Sequence, residues 1–192
     1  MKWIFLFFFS GIIVFAATLF FRLGGHKPVQ LSQVSSQTSF LLLYKPHIGP
    51  YHQINATINE VEVWAAEKHL PCSQTFGLFL DNPEKVEPER LRSLAGCLLP
   101  LSSQQVIKKL MPSQEPDFSQ TPKIAWTFWK FPAALKASFR GSPSIGPFKV
   151  YPKAQKWFQK HRLPYPKEVL EVYTLFSSSS IKTEYYFPLP VN

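Results

Sequence analysis

Glu171 is the residue of this sequence best suited to chemistry, because it is a carboxylate inside the apolar run of residues 169–173. Alternation along a strand places Glu171 and Tyr173 on the same face. A buried carboxylate is unfavourable unless it meets a cation, a hydrogen-bond donor or a cavity. Such a group can bind a cationic ligand or, with a raised pKa, act as a general acid or base. The alternative is an exposed edge strand that leaves Glu171 in water.

Repeated motifs indicate that the strand around Glu171 belongs to a duplicated unit. The first copy contains Ile48-Gly49-Pro50-Tyr51, His69-Leu70-Pro71 and Leu99-Pro100-Leu101, and the second contains Ile145-Gly146-Pro147-Phe148, Arg162-Leu163-Pro164 and Phe187-Pro188-Leu189. Each copy predicts the order strand, helix, strand, strand, with the second helix at residues 152–161. The predicted fold class is therefore α+β: a duplicated strand-helix-strand-strand module with a pseudo-twofold and two antiparallel sheets.

The junction between the two copies is the predicted ligand cleft, because clefts between structural units commonly hold ligands. The strand of the first copy that matches the Glu171 strand has Gly77 at the equivalent position. That asymmetry suits a single polar group that orients a ligand, with Tyr173 adding a hydrogen bond and a stacking face. The other aromatic residues expected to line the cleft are Trp64, Phe79, Tyr51 and Phe148.

Residues 3–21 carry no charge and are flanked by Lys2 and Arg22. This length predicts a single-pass transmembrane anchor and a membrane localisation, with a cleaved signal peptide as the alternative. The side of the membrane that faces the domain stays open. The expected layout is an anchor or signal peptide at 1–22, a flexible tether at 23–39 and one domain at 40–190, made of repeat one (40–101), a linker (102–121) and repeat two (122–190).

Most of the net charge of +9 lies in residues 121–192, which favours an acidic partner. Lys153, Lys156 and Lys160 share one side of the second predicted helix. The ordinary interpretation is a solvated helix face beside a core-packing stripe. The sharper interpretation is that these lysines face an anionic membrane surface.

Several functional classes find no support in the sequence. HExxH, CxxC and GxSxG do not occur, so we expect no metal, no cofactor and no dedicated nucleophile. No helix-turn-helix is recognisable, so nucleic acid is not an expected partner. Protein partners cannot be named from the sequence.

Two short features concern covalent chemistry outside the predicted cleft. Cys72 and Cys97 are either two buried thiols or a disulfide, which would suit an oxidising compartment. Asn55-Ala56-Thr57 has the spelling of an N-glycosylation sequon. We interpret the sequon as coincidental on the sequence alone, because it falls where a helix should begin.

Five segments together resemble the GyrI-like domain family: residues 44–51, 76–83, 88–96, 170–173 and 183–188. The resemblance extends over about residues 40–190 and implies a duplicated antiparallel α+β module of the SHS2 type with a ligand groove between its halves. In sensor members of the family, a glutamate at the position matched by Glu171 meets cationic, aromatic ligands. Some relatives are hydrolases of strained small molecules. The predicted anchor is similar to that of a testis-expressed endoplasmic-reticulum subgroup, but no acidic tail follows Asn192, so we do not expect that subgroup's autophagy-receptor role.

The leading functional prediction is a membrane-anchored domain that binds a small cationic or amphipathic aromatic molecule, for sensing or sequestration. The first alternative is a hydrolase of an electrophilic small molecule that uses Glu171 with Tyr173. The second is a membrane-bound adaptor that binds other proteins. Enzymatic activity is the less expected outcome because the sequence offers no separate nucleophile.

Overall fold

The computed structural model describes residues 2–35, 38–119, 122–177 and 180–190. Over these residues it contains four helices, which are α1 (Lys2–Arg22), α2 (Ile54–Glu67), α3 (Gln104–Leu110) and α4 (Gly146–Lys160). The strands are β1 (Gln30–Val34), β2 (Thr38–Ile48), β3 (Gln74–Phe79), β4 (Arg92–Leu99), β5 (Ala125–Phe131), β6 (Ala134–Arg140), β7 (Val169–Ser177) and β8 (Ser180–Pro188). The predicted α+β class is confirmed.

The strands form a single eight-stranded antiparallel sheet, so the prediction of two separate sheets is not confirmed. The strand order is β1-β6-β8-β7-β3-β4-β2-β5. The two predicted sheets merge because β3 of the first half pairs directly with β7 of the second half. In this pair Gly77 stands opposite Glu171, so the two equivalent positions of the repeats meet at the centre of the sheet.

The two halves share the same internal arrangement. In the first half β2, α2, β3 and β4 follow one another in sequence, and in the second half β6, α4, β7 and β8 do so. In the sheet β4 lies between β2 and β3, as β8 lies between β6 and β7. The register equates Ala95 with Tyr185, since they pair with Gly77 and Glu171 respectively. Pro100 therefore corresponds to Pro190, not to Pro188 as the sequence motif suggested.

Both large helices also end in the same way. His69 and Arg162 follow the two helices with φ angles of 54° and 55°, in the left-handed region. The next N–H, of Leu70 or Leu163, donates to a carbonyl five residues earlier, at 2.9 Å and 3.0 Å. This is the bond pattern of a Schellman motif, here with non-glycine residues at the left-handed position. The repeated helix ends are thus built by the same backbone conformation.

The helix-bearing face of the sheet is covered by α2 over β2 and β4, and by α4 over β6 and β8. Residues at helical spacing make these contacts: Val61 and Ala65 from α2, and Val150, Ala154 and Phe158 from α4. A disulfide joins Cys72 to Cys97 beneath α2. The open question about the two cysteines is thereby answered in favour of a covalent link.

The opposite face of the sheet curls around an aromatic core. Pro132 and Ala133 connect β5 to β6, although these strands lie near opposite ends of the strand order. The sheet must bend back on itself for so short a connection to join them. Phe40, Trp129, Phe131 and Tyr186 meet inside the curl, with ring centroids 4.9 Å to 6.1 Å apart. This face is filled by the protein's own side chains.

Three segments differ from their sequence-based description. Helix α4 begins at Gly146, six residues before the predicted start, because Pro147 fits the first turn and Pro152 is accommodated inside the helix. Residues 23–39, predicted as a flexible tether, contain β1, which pairs with β6. Residues 102–121, predicted as a linker, contain α3.

The membrane prediction requires correction. Among the helices that the structure describes, none combines the length and the apolar character needed to cross a membrane. The transmembrane anchor at residues 3–21, the membrane localisation and the membrane as a partner are therefore wrong.

Candidate functional site

Glu171 lies at the centre of the sheet, on the face that carries α2 and α4. It pairs with Gly77 of β3 on one side and with Tyr185 of β8 on the other. Only 4% of its surface is exposed. The exposed-edge alternative is thus excluded by its position on β7, which has neighbours on both sides.

Two tyrosine hydroxyls donate hydrogen bonds to the Glu171 carboxylate. Tyr151 of α4 donates to Oε1 at 2.8 Å, and Tyr173 of β7 donates to Oε2 at 3.0 Å. In the described part of the chain no basic side chain forms an ion pair with Glu171. Burial raises the pKa of Glu171 to about 7, and the two hydrogen bonds lower it without compensating for the loss of solvent.

Two further tyrosines complete the surroundings of the carboxylate. Burial and the charge of Glu171 together raise the pKa values of Tyr165 and Tyr185. The hydroxyls of Tyr185 and Thr183 are both buried, and neither forms a well-aligned hydrogen bond with any described residue. They lie close enough for Thr183 to lower the pKa of Tyr185, although burial still outweighs that effect. Tyr185 reaches the first turn of α4, where a side chain at Gly146 would collide with its hydroxyl. The glycine of the repeated Ile-Gly-Pro motif therefore makes room for Tyr185 in this half.

The equivalent place in the first half is apolar and filled. A Cβ atom at Gly77 would lie 2.9 Å from Ile54 Cδ1 and 2.9 Å from Phe79 Cζ. Tyr51 packs on Phe79 with ring centroids 4.6 Å apart, and its hydroxyl donates to the Asp81 carbonyl at 2.9 Å. Ile54 and Phe79 thus occupy the space that a carboxylate takes in the second half.

The structure brings together some of the predicted site residues and separates others. Glu171 and Tyr173 are in contact, and Tyr173 also packs against the cluster that contains Phe79 and Tyr51. Trp64 lies on another part of α2 and packs instead against the cluster that contains Leu43 and Cys97. Phe148 is 81% exposed at the start of α4.

Tyr151, Tyr165 and Tyr185 were not identified from the sequence. Tyr151 was overlooked because the helix was expected to begin at Pro152. The spacing of Val150, Ala154 and Phe158 contained the signal that α4 extends further back. Tyr185 could have been found from its alternation with Thr183 and Phe187 along β8.

The lysines predicted to contact a membrane, Lys153, Lys156 and Lys160, lie exposed on the outer side of α4. With the membrane prediction overturned, that role is withdrawn. Among the described residues, no cluster of three or more histidine, cysteine or acidic side chains is arranged to hold a metal ion.

A concavity of about 690 Å³ lies away from Glu171. Its lining residues are Ser39, Leu101, Gln104, Phe128, Lys130, Phe131 and Pro132. It contains no acidic side chain and no buried group with a strongly shifted pKa. We therefore assign the candidate site to Glu171 on its chemistry.

No family model and no curated protein matches this chain. The resemblance to the GyrI-like family accordingly stays a prediction. The chain is similar in structure to the crystal structure of the EcmrR C-terminal domain, with a TM-score of 0.56 and 12% identity, over 86% of this chain and 98% of that one. It is also similar to EcmrR in a cryo-EM structure of an EcmrR–DNA complex, with a TM-score of 0.54 and 13% identity, over 97% of this chain and 70% of that one.

The second of these structures overturns our exclusion of nucleic acid as a partner. A protein with the same fold was solved in a complex with DNA, so the missing helix-turn-helix signal is not sufficient grounds for the exclusion. At identities of 12% and 13% the likeness establishes the fold, and DNA binding remains a property of EcmrR.

Proposed function

We propose that the chain binds a small, flat, cationic or amphipathic aromatic molecule at Glu171, for sensing or sequestration. The observation that supports this most directly is a carboxylate with 4% exposure whose described partners are two tyrosine hydroxyls and no cation. A buried carboxylate without a positive partner is unfavourable in its charged form. A cationic ligand would supply the missing charge.

The geometry leaves the carboxylate able to accept more hydrogen bonds. A carboxylate has about four lone-pair positions, and Tyr151 and Tyr173 use one on each oxygen. The four tyrosines around the carboxylate, Tyr151, Tyr165, Tyr173 and Tyr185, are aromatic groups of the kind that attract cations. The GyrI-like resemblance supports the same ligand class, since it implies a glutamate at this position that meets cationic aromatic molecules.

A ligand must move at least one tyrosine to reach the carboxylate. Tyr151 and Tyr173 are each partly exposed, while Glu171 beneath them is buried. Rotation of one ring exchanges its hydrogen bond for the ligand's positive group and opens a stacking surface.

The adaptor alternative is less well supported by the contacts. It would have been favoured by an aromatic side chain filling the groove and by a lysine paired with Glu171. Phe148 instead points to solvent, and Trp157 stacks on His161 with ring centroids 4.0 Å apart. Glu171 retains its tyrosine partners in the described structure.

The proposal is tested by fluorescence anisotropy with proflavine, a flat aromatic cation, and fluorescein, an anion of similar size. We expect saturable binding of proflavine at pH 8 and no binding of fluorescein. Glu171→Gln should weaken proflavine binding at least about tenfold, since a hydrogen bond to a charged group contributes about 1.5–3 kcal/mol. Affinity should also fall as the pH drops below about 7, because protonation removes the charge.

Glu184→Gln is the matched control, since it removes the same charge from the neighbouring strand β8. Glu184 lies on the opposite face of the sheet and pairs with Lys136 and Lys182. This variant should keep the wild-type affinity. The proposal would be refuted if Glu171→Gln and the wild type bind proflavine with equal affinity while thermal unfolding curves show that both proteins are folded.

A second candidate, hydrolysis of an electrophilic small molecule, is favoured by one observation. The pKa of Glu171, raised to about 7, suits a general acid or base at neutral pH. Glu171 with Tyr173 would activate a water molecule for attack on a strained ring. Turnover of a small epoxide by the purified protein, lost in Glu171→Gln and retained in Glu184→Gln, would support this candidate; absence of turnover above the Glu171→Gln background would reject it.

A further inference from the structure

Asn55 occupies an exposed position in the first turn of α2. The helix begins at Ile54, and Asn55 is its second residue. Its neighbours Ile54, Thr57 and Ile58 are buried against the sheet, whereas Asn55 is exposed to solvent. A bulky group on the Asn55 amide would therefore extend away from the protein. The helix start, which made the sequon look coincidental, is compatible with such a group.

The Cys72–Cys97 disulfide is an independent indication of the chemical environment in which the chain folds. Disulfides form and persist in oxidising compartments, such as the lumen of the secretory pathway. N-linked glycans are attached in that compartment to Asn-X-Ser/Thr sequences. The signal-peptide alternative for residues 1–22 would supply the route into it.

We propose that Asn55 carries an N-linked glycan. In this step the Asn55 Nδ2 atom forms a bond to the first sugar of a lipid-linked oligosaccharide diphosphate. The bond between sugar and diphosphate breaks, the amide loses one proton and the lipid diphosphate leaves. The donor is the general substrate of oligosaccharide transfer in the secretory lumen.

The structure also fixes when the glycan must be attached. Thr57, the third residue of the sequon, is 8% exposed, and its hydroxyl lies 3.3 Å from His47 Nδ1. An enzyme cannot bind this threonine in the folded protein. Attachment therefore precedes the packing of α2, and the folded chain then displays the glycan on the outer side of the helix. This inference does not depend on the ligand proposed for Glu171.

The test is expression of the full chain in cultured mammalian cells, followed by treatment with peptide N-glycosidase. We expect a slower-migrating wild-type form that the enzyme converts to the unmodified mobility, with Asn55 identified as the site by mass spectrometry of the peptide. Asn55→Gln should abolish this form, and Thr57→Ser, which preserves the sequon and the hydroxyl, should retain it.

Asn59→Gln is the matched control. Asn59 is exposed on α2 about one turn after Asn55 and is followed by Glu60 and Val61, so it forms no sequon. This variant should be glycosylated like the wild type. A non-reducing gel of the same samples reports the disulfide. The proposal would be overturned if the wild-type chain shows no glycosidase-sensitive form, whether or not its disulfide has formed. It would also be overturned if a glycosidase-sensitive form survives in Asn55→Gln.

Discussion

The two sides of the central β3–β7 pair have the same backbone arrangement and opposite chemistry. On the first side Ile54 packs over Gly77 beside Phe79. On the second side, Tyr151 of α4 lies over Glu171 beside Tyr173. Gly77 and Phe79 are equivalent to Glu171 and Tyr173, and the matching helix ends make Ile58, which packs with Ile54 and Phe79, the counterpart of Tyr151. The pseudo-twofold thus relates a hydrophobic core to a buried carboxylate site.

This difference shows the stability that is lost by burying a carboxylate in place of apolar side chains. The first side fills the same space with side chains that need no hydrogen bond, which is the arrangement expected for stability alone. The second side keeps a carboxyl group with a raised pKa in a buried position, and the buried Tyr185 hydroxyl there makes no well-aligned hydrogen bond with the described residues. Departures from a well-packed apolar core are expected at functional sites, so the second side is the better place to look for function.

The halves differ in a second place as well. The Cys72–Cys97 disulfide of the first half corresponds in position to Tyr165 and Phe187 in the second half, whose ring centroids are 5.9 Å apart. A covalent link and an aromatic contact thus connect the segment after the helix to the same strand of each repeat. The two kinds of link should contribute differently to stability.

The largest effect is expected when the carboxylate is introduced on the apolar side. Gly77→Glu would place an unpaired charge beneath Ile54 and Phe79 and should lower the free energy of unfolding by about 4 kcal/mol or more, as measured in urea at pH 7. Gly77→Ala controls for the steric part, since its Cβ atom already meets both side chains. If the two variants are equally stable, the apolar side tolerates a carboxylate and the contrast between the sides is not energetic.

Removal of the disulfide should have the next largest effect. The double variant Cys72→Ser/Cys97→Ser opens a loop with a sequence separation of 25 residues. Loop entropy of the unfolded chain predicts a loss of about 3.5 kcal/mol in the free energy of unfolding. Reduced wild-type protein should unfold at the same urea concentration as the variant. A loss near zero would mean that packing around the strand already provides the constraint.

The pH dependence of stability should distinguish the two sides of the β3–β7 pair, because only the second side carries the buried carboxylate of Glu171. Its pKa is about 7 in the folded protein against 4.5 for an unperturbed carboxyl. The folded state therefore holds the proton more tightly, so this contribution is fully present below pH 4.5 and is lost as the pH rises through 7. The loss should reach about 3 kcal/mol, and Glu171→Gln should remove it.

Glu184 provides the opposite case for the same measurement. Burial raises its pKa, but hydrogen bonds and the charges of Lys136 and Lys182 outweigh burial, so its pKa is lowered. Its contribution is therefore lost as the pH falls, and Glu184→Gln should leave the decrease above pH 4.5 in place. A wild-type chain whose stability does not decline between pH 5 and pH 8 would contradict the raised pKa of Glu171.

The smallest effect is expected for the aromatic counterpart of the disulfide. Tyr165 is 38% exposed and contacts the rings of Phe158 and Phe187. Tyr165→Leu keeps much of the apolar contact and should lower the free energy of unfolding by about 1 kcal/mol. The same urea titration applies, with the double cysteine variant as the reference. A loss as large as that of the cysteine variant would show that the two links are equivalent.

The sequence predicted the parts of this comparison that depend on local pattern. Alternation within residues 169–173 identified Glu171 and Tyr173, and the repeated motifs placed Gly77 at the equivalent position. The pairing of β3 with β7 could not be derived, because no local feature specifies which strand edges of two halves will meet. Strand β1 was missed because Gln30–Val34 lies mostly exposed at the sheet edge and has a largely polar sequence.

Assigning side chains to the site was less successful than assigning the strand. The prediction of Trp64 and Phe148 as site residues rests on their aromatic character, since aromatic faces attract cations. Their orientation depends on the helix rotation, which the helix start determines. With α4 beginning at Gly146, Phe148 turns to solvent and Tyr151 takes the position over Glu171. A six-residue error in the helix start, about 1.7 turns, was enough to exchange the two residues.

The short connection between β5 and β6 has a consequence for the rate of folding. These strands are adjacent in sequence, yet each finds its partners among strands that are distant along the chain: β5 pairs with β2, and β6 with β8 and β1. Closing such contacts costs chain entropy before the contacts become favourable, and β-rich domains of this kind fold in milliseconds to seconds. The curled sheet should therefore close late and in one cooperative step. The two strands joined by residues 132–133 can take their final positions only when their distant partner strands at both ends of the sheet are in place.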